Sequence, residues 1–218
     1  MLSKKMQSAL ELIQDVDDNK NKKKEYESIA QRNTVFFDSY DKLTSNLASY
    51  ILAHNYFKFT PQSEVLDEMK SLVEYVNISF QSEKAVNPQS FESKVNDLVK
   101  RLSDEWGQFF DRRFSVLISD LNIMTTFYHN PKIIRNYISA LKKCSKFALN
   151  EAEIQNCLLA ENKGKELIKE FKFDGHIKSF LQKVSSQKAT INDVTPDIYK
   201  WIFDEGISDK IGLIIKTS

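Results

Sequence analysis

Lys132, Arg135, Lys142, Lys143 and Lys146 stand in an interval, between Asp120 and Glu151, that holds no acidic residue. Helical spacing puts Arg135, Lys142 and Lys146 on one face, at i, i+7 and i+11, away from Ile134, Ile138 and Leu141. Uncompensated cations in such a stripe attract the phosphate oxygens of nucleic acid or the carboxylates of an acidic partner surface. The plainer alternative is a solvated outer face, the usual fate of a charge run. Lys20, Lys22, Lys23 and Lys24 form a second basic cluster, for which solvation is the stronger reading.

Other chemistries lack their residue patterns. The three histidines, His54, His129 and His176, lie far apart, with no His-x-x-x-His or Glu-x-x-His spacing. No metal site and no cofactor are therefore expected. Asp17-Asp18 and Asp104-Glu105 are adjacent pairs, and adjacent positions on a helix do not face each other. No glycine-rich phosphate cradle and no Gly-x-Ser-x-Gly elbow occurs. The expectation is a protein that is not an enzyme. Cys144 and Cys157 read as buried thiols of a reducing compartment.

The elements that must position these residues are helices. The chain of 218 residues has only five glycines and four prolines, and every proline follows Thr or Asn: Thr60-Pro61, Asn87-Pro88, Asn130-Pro131 and Thr195-Pro196. Thr and Asn accept from the free N–H groups of a first helical turn, and proline at the first helical position loses no bond. Each pair therefore predicts a helix start. Tyr26, Ile29, Asn33, Phe36, Tyr40, Leu43, Leu47, Tyr50, His54 and Phe57 alternate steps of three and four, a heptad seam. Phe37, Ala48, Ile51 and Leu52 are expected to widen it. Within this seam Asn33 and His54 are polar, a pattern that sets register or partner choice.

Residues 3–17 carry Met6, Leu10 and Ile13 at helical spacing, and the polar run from Asp17 to Lys24 is either a solvated link or an exposed stretch of one long helix. The blocks from Pro61, Pro88 and Pro131 follow the same period, with Gly107 a point of weakness or kinking in the third. Asn150-Glu151-Ala152-Glu153 opens a further helix as a capping box does. A helix-turn-helix reading of residues 174–205 fails, because Asp197, Asp204 and Glu205 would make the recognition helix acidic. Residues 211–215 read as a short strand or a docked coil.

The fold class is thus all-α: an elongated bundle of long antiparallel, coiled-coil-like helices over residues 1–129, with a smaller C-terminal helical cap, 130–218, on one end. Charge is nearly balanced, 31 Lys and Arg against 30 Asp and Glu, so no global field selects a polyanion. No apolar run approaches a membrane span, and the N-terminus does not read as a signal peptide, so a cytoplasmic location without membrane contact is expected. The leading expectation for function is a non-catalytic helical interaction module, an adaptor or accessory subunit of a larger complex whose partner is a protein such as an ATPase subunit, or a second copy in a homodimer. The alternative is a nucleic-acid-associated accessory subunit, of a bacterial ATPase or antiviral-defence type of machine, acting through residues 132–146.

Overall fold

A computed structural model describes the backbone of residues 2–82, 87–171 and 175–212, and the side-chain surroundings of 18–78, 87–171 and 175–212. Seven α-helices occur among the described residues, and no strand: α1 (Leu2–Phe57), α2 (Ser63–Ser82), α3 (Pro88–Phe127), α4 (Pro131–Lys143), α5 (Glu151–Glu170), α6 (Gly175–Ser185) and α7 (Pro196–Asp204). Single 3-10 turns fall at Ile191–Asp193 and Ser208–Lys210. The protein is all-α. The seam residues Met6, Leu10 and Ile13 and most of the tail lie outside the described side chains.

Three of the four prolines open helices. Asn87 Oδ1 accepts from Ser90 N–H at 3.1 Å, Thr195 Oγ1 accepts from Ile198 N–H at 3.4 Å, and Pro131 follows Asn130, whose side chain makes no capping bond. Pro61 differs: it is buried in the connection, and α2 begins two residues later, at Ser63, with the carbonyl of Gln62 accepting the first turn's N–H groups. Asn150 Oδ1 caps α5 through Glu153 N–H at 2.9 Å. Gly107 does not end α3, whose helical pattern runs through it to Phe127. The polar run from Asp17 to Lys24 is helical, part of α1 rather than a link, and Asp18 to Lys24 are exposed.

Two compact units divide the chain differently from a border near residue 130. One comprises Met1–Ala48 and Pro61–Leu102, the other Ser49–Thr60 and Ser103–Ser218. The reason is that α1 and α3 are each long enough to supply part of both.

In the first unit, Phe36 meets Phe91 with ring centroids 5.4 Å apart, and Lys42 Nζ donates to Asn96 Oδ1 at 2.7 Å, so α1 and α3 run in the same direction. Arg101 pairs with Glu68 at 3.3 Å while Tyr75 meets Phe91 and Lys94, so α2 runs opposite to α3. Leu43, Val65, Met69, Leu72, Val76, Phe91, Val95, Leu98 and Leu102 are buried there. The buried stripe of α1 is narrower than its seam: Ser39 and Leu43 are buried, Phe36, Tyr40 and Leu47 are half-buried, and Phe37 and Ala48 are exposed.

In the second unit an aromatic cluster closes the end of α1. The ring of Phe59 stands 5.3 Å from Trp106 and 6.1 Å from Phe147, and Phe57 packs edge-on to Phe114 at 6.1 Å. Each such pair contributes about 0.5–1.5 kcal/mol beyond its buried area. Lys58 turns the chain there in the left-handed region, with φ 59°. Helices α4 and α5 form a hairpin whose connection is held from two sides: Trp106 Nε1–H donates to Cys144 O at 2.9 Å, and Leu149 N–H donates to Ser49 Oγ at 3.3 Å. Gly164 lets α5 lie close to α3, with Leu121 Cδ1 3.1 Å from where a Cβ would stand. Ile198, Trp201 and Ile202 bury α7, and Trp201 Nε1–H donates to Phe171 O at 3.1 Å. Lys210 caps α3 by donating to the carbonyls of Phe127 and Tyr128 at 2.9 and 3.2 Å.

Candidate functional site

Two surfaces hold the residues that the sequence singles out. The first is an open groove of about 570 Å³ between α3 and α4, within the second unit. Asn122, Thr125 and Thr126 come from α3, and Arg135, Ile138, Ser139, Lys142 and Lys143 from α4. Helix α4 is strongly two-faced: Ile134, Ile138 and Leu141 are buried, so Arg135, Ser139 and Lys142 must face out. Among the described residues the lining contains no carboxylate. Among the described residues Arg135, Lys142 and Lys143 form no ion pair. Asn122, Thr126 and Ser139 add neutral donors, whereas the Thr125 hydroxyl is turned back onto Leu121 O at 2.9 Å.

The five basic residues of the interval are not one stripe. Helix α4 ends at Lys143, and Cys144 N–H already bonds back three residues, to Leu141 O, while its carbonyl is taken by Trp106. Lys146 is therefore in the bend after the helix, outside the groove, and does not continue the face of Arg135 and Lys142. Lys143 takes the third place instead. Lys132 is exposed in the first turn and does not line the groove either. A neighbouring cavity of about 350 Å³ between α4 and α5 shares Ser139 and Lys143 and includes Glu153.

The second surface is on α1, in the first unit. Every residue from 18 to 34 is exposed although the stretch is helical. Tyr26 is 72% exposed, Ile29 48% and Phe37 58%, and with Asn33 they follow steps of three, four and four along one side of the helix. Asn33 is thus exposed next to apolar side chains that remain largely exposed among the described residues. His54, the other polar seam residue, is exposed near the end of α1, where its Nδ1 stands 3.1 Å from Phe59 O. A proton on that nitrogen donates to the carbonyl and ties the turn after α1.

One cluster escaped sequence reasoning. Glu161, 4% exposed, is held by Arg113 Nη2 at 2.8 Å and Lys165 Nζ at 2.7 Å. Arg113 also donates to Phe57 O at 3.4 Å, and its guanidinium lies 5.2 and 5.4 Å from the ring centres of Phe57 and Phe114. Burial pushes the Glu161 carboxyl up, but the hydrogen bonds from Arg113 and Lys165 outweigh it and hold the group below its ordinary value. A carboxylate inside the apolar period of Ile154, Cys157, Ala160, Gly164 and Leu167 is the only sign of this in the sequence. The partner, 48 positions away, is invisible there. Asp120, also buried, pairs with Lys178 at 2.6 Å. The Cys144 and Cys157 thiols are both buried and free, and their mutual hydrogen bond, followed by burial, pushes Cys157 up, which keeps it protonated.

Among the described residues no group of three or more His, Cys, Asp and Glu is placed to hold a metal ion, and no helix is long and apolar enough to cross a membrane. What the fold and its surfaces define is an all-α protein whose first helix is exposed over residues 18–34 and whose α3–α4 groove is basic and, among the described residues, free of carboxylates. No family model matches the chain, and comparison with curated proteins and with solved structures found no match.

Proposed function

We propose that this chain is a non-catalytic helical interaction module, a subunit of a larger assembly that presents α1 to a helical segment of another protein. The carrying observation is the bare helix of residues 18–34, together with the exposed stripe of Tyr26, Ile29, Asn33 and Phe37. Most helical stability in proteins comes from packing an apolar face, and residues 18–34 are exposed on every side. Local support is thin: the only ion pair within the stretch, Lys23 with Glu27 at 4.0 Å, has the less favourable order and contributes about 0.2–0.5 kcal/mol at best. A partner helix covering the stripe would supply the missing burial, roughly 1.5–3 kcal/mol for each large apolar side chain.

The test compares the wild-type chain with Ile29→Glu/Phe37→Glu in affinity capture from native extract, and follows amide exchange of residues 18–40. Capture of one defined protein by the wild type, lost in the variant, with slowed exchange over 18–40 in the complex, supports the reading. A captured protein that the variant retains equally, or a complex leaving 18–40 in fast exchange, refutes it. Light scattering on the chain alone identifies the self-paired case: a concentration-dependent dimer that the same variant dissolves makes a second copy the partner.

A further inference from the structure

The α3–α4 groove lies in the other unit and has no part in that reading. We infer that it is a binding site for the phosphodiester backbone of a nucleic acid, with Arg135, Lys142 and Lys143 as the phosphate-contacting cations.

Four observations carry this. Among the described residues the groove is lined by three cationic side chains and no carboxylate. None of the three is neutralised by an ion pair among the described residues, whereas the buried carboxylates Glu161 and Asp120 of the same unit have their own cations. The charges can therefore act on a ligand rather than on the protein. The rest of the lining suits phosphate and sugar oxygens: the Asn122 amide and the Thr126 and Ser139 hydroxyls are the side-chain types that share backbone contacts with Arg and Lys. Finally, the spacing fits a strand. Arg135 and Lys142 are two turns apart, about 10 Å along the axis at 1.5 Å per residue. A nucleic-acid strand presents one phosphate per about 3.4 Å of duplex axis, so this reach covers about three phosphates for three cations. Among the described residues Ile138 is the only apolar lining residue and no aromatic ring lines the groove, so bases have no stacking platform there and the contacts fall on the backbone, which carries no sequence information.

An acidic protein surface would meet the same cations, and the experiment separates it. Fluorescence anisotropy is measured with a labelled 20-nucleotide single strand and a labelled 20-base-pair duplex, from 50 to 200 mM NaCl, with unlabelled polyglutamate as competitor. With three phosphates neutralised, log K against log salt has a slope of about −2.7 for duplex and about −2.1 for a single strand, so affinity falls about 40-fold or about 20-fold over that range. The probe bound more tightly at each salt concentration tells which form occupies the groove. Arg135→Gln/Lys142→Gln/Lys143→Gln removes the salt-sensitive binding. Lys132→Gln/Lys146→Gln removes two charges of the same interval but outside the groove, and retains affinity within about threefold. Circular dichroism and thermal melting confirm that both variants keep the wild-type fold, as expected for exposed side chains.

Failure of the wild type to bind either probe at 50 mM salt overturns the inference. So does equal weakening by the two variants, which means diffuse charge rather than a groove. Polyglutamate displacing the nucleic acid at equal charge concentration also overturns it, in favour of an acidic protein ligand. Loss of α1 partner capture in the Ile29→Glu/Phe37→Glu chain leaves these titrations unchanged, so the two readings fail separately.

Discussion

Replacing Arg113 by Met removes the guanidinium that holds Glu161 and keeps most of the side-chain volume. Breaking a buried ion pair costs about 3–5 kcal/mol when the remaining charge is left unpaired. Two features reduce the figure: the Arg113 side chain is 31% exposed, and Lys165 still reaches Glu161 at 2.7 Å. The cation–aromatic contacts with Phe57 and Phe114 add about 0.5–1 kcal/mol each at a partly exposed site. The expected loss at pH 7 is roughly 2–4 kcal/mol. Trp106 and Trp201 both belong to the second unit, so their fluorescence reports its unfolding in urea. With a slope of about 2 kcal/mol per molar, the midpoint falls by roughly 1–2 M.

The pH dependence supplies the decisive comparison. Glu161 is held below its ordinary value in the folded wild type, so its contribution is present above about pH 4.3, the unfolded value, and is lost as pH falls through the lower folded value. Without Arg113, burial dominates and the carboxyl titrates higher, so mild acid protonates it and relieves the buried charge. The gap between wild type and Arg113→Met therefore narrows from pH 7 to pH 3. A gap below 1 kcal/mol at pH 7, or one of the same size at both pH values, would refute the argument that this pair is the electrostatic anchor of α3 to α5.

Lys58→Gly should stabilise the second unit by about 0.5–1 kcal/mol, because glycine adopts φ 59° without the steric penalty of a side chain. Calorimetry should show a rise of about 1–4 °C, and a lower melting temperature would mean that the lysine side chain matters more than its backbone. Gly164→Leu should cost about 1–3 kcal/mol by overpacking, since even a Cβ there would lie 3.1 Å from Leu121 Cδ1. Leu121→Ala in the same chain should recover part of the loss in urea titrations, and a purely additive double variant would contradict the contact.

The helices themselves were written in the sequence. Steps of three and four, few glycines, and Asn or Thr before proline act within a few residues, so Asn87, Asn150 and Thr195 could be read as caps before any packing was known. Pro61 shows the limit, because the connection between α1 and α2 buries it and the helix waits until Ser63. Periodicity also named the apolar side of α1 without saying how much of it is covered: Leu43 and Phe57 are buried, Tyr26 and Phe37 are not. That depends on where neighbouring helices stop, which no local pattern encodes.

The basic interval was legible as composition, but the groove was not. It took α3 to supply Asn122 and Thr126, and a helix end fixed by Trp106 to exclude Lys146 and admit Lys143. The pairing of Arg113 with Glu161 likewise joins residues on separate helices. Sequence by itself determined which segments are helical and which of their faces are apolar or charged, because backbone hydrogen bonding and side-chain spacing are short-range. Tertiary structure alone decided which faces are buried, which charges are neutralised and which cations share a groove, because burial and Coulomb energy depend on distances between segments remote along the chain.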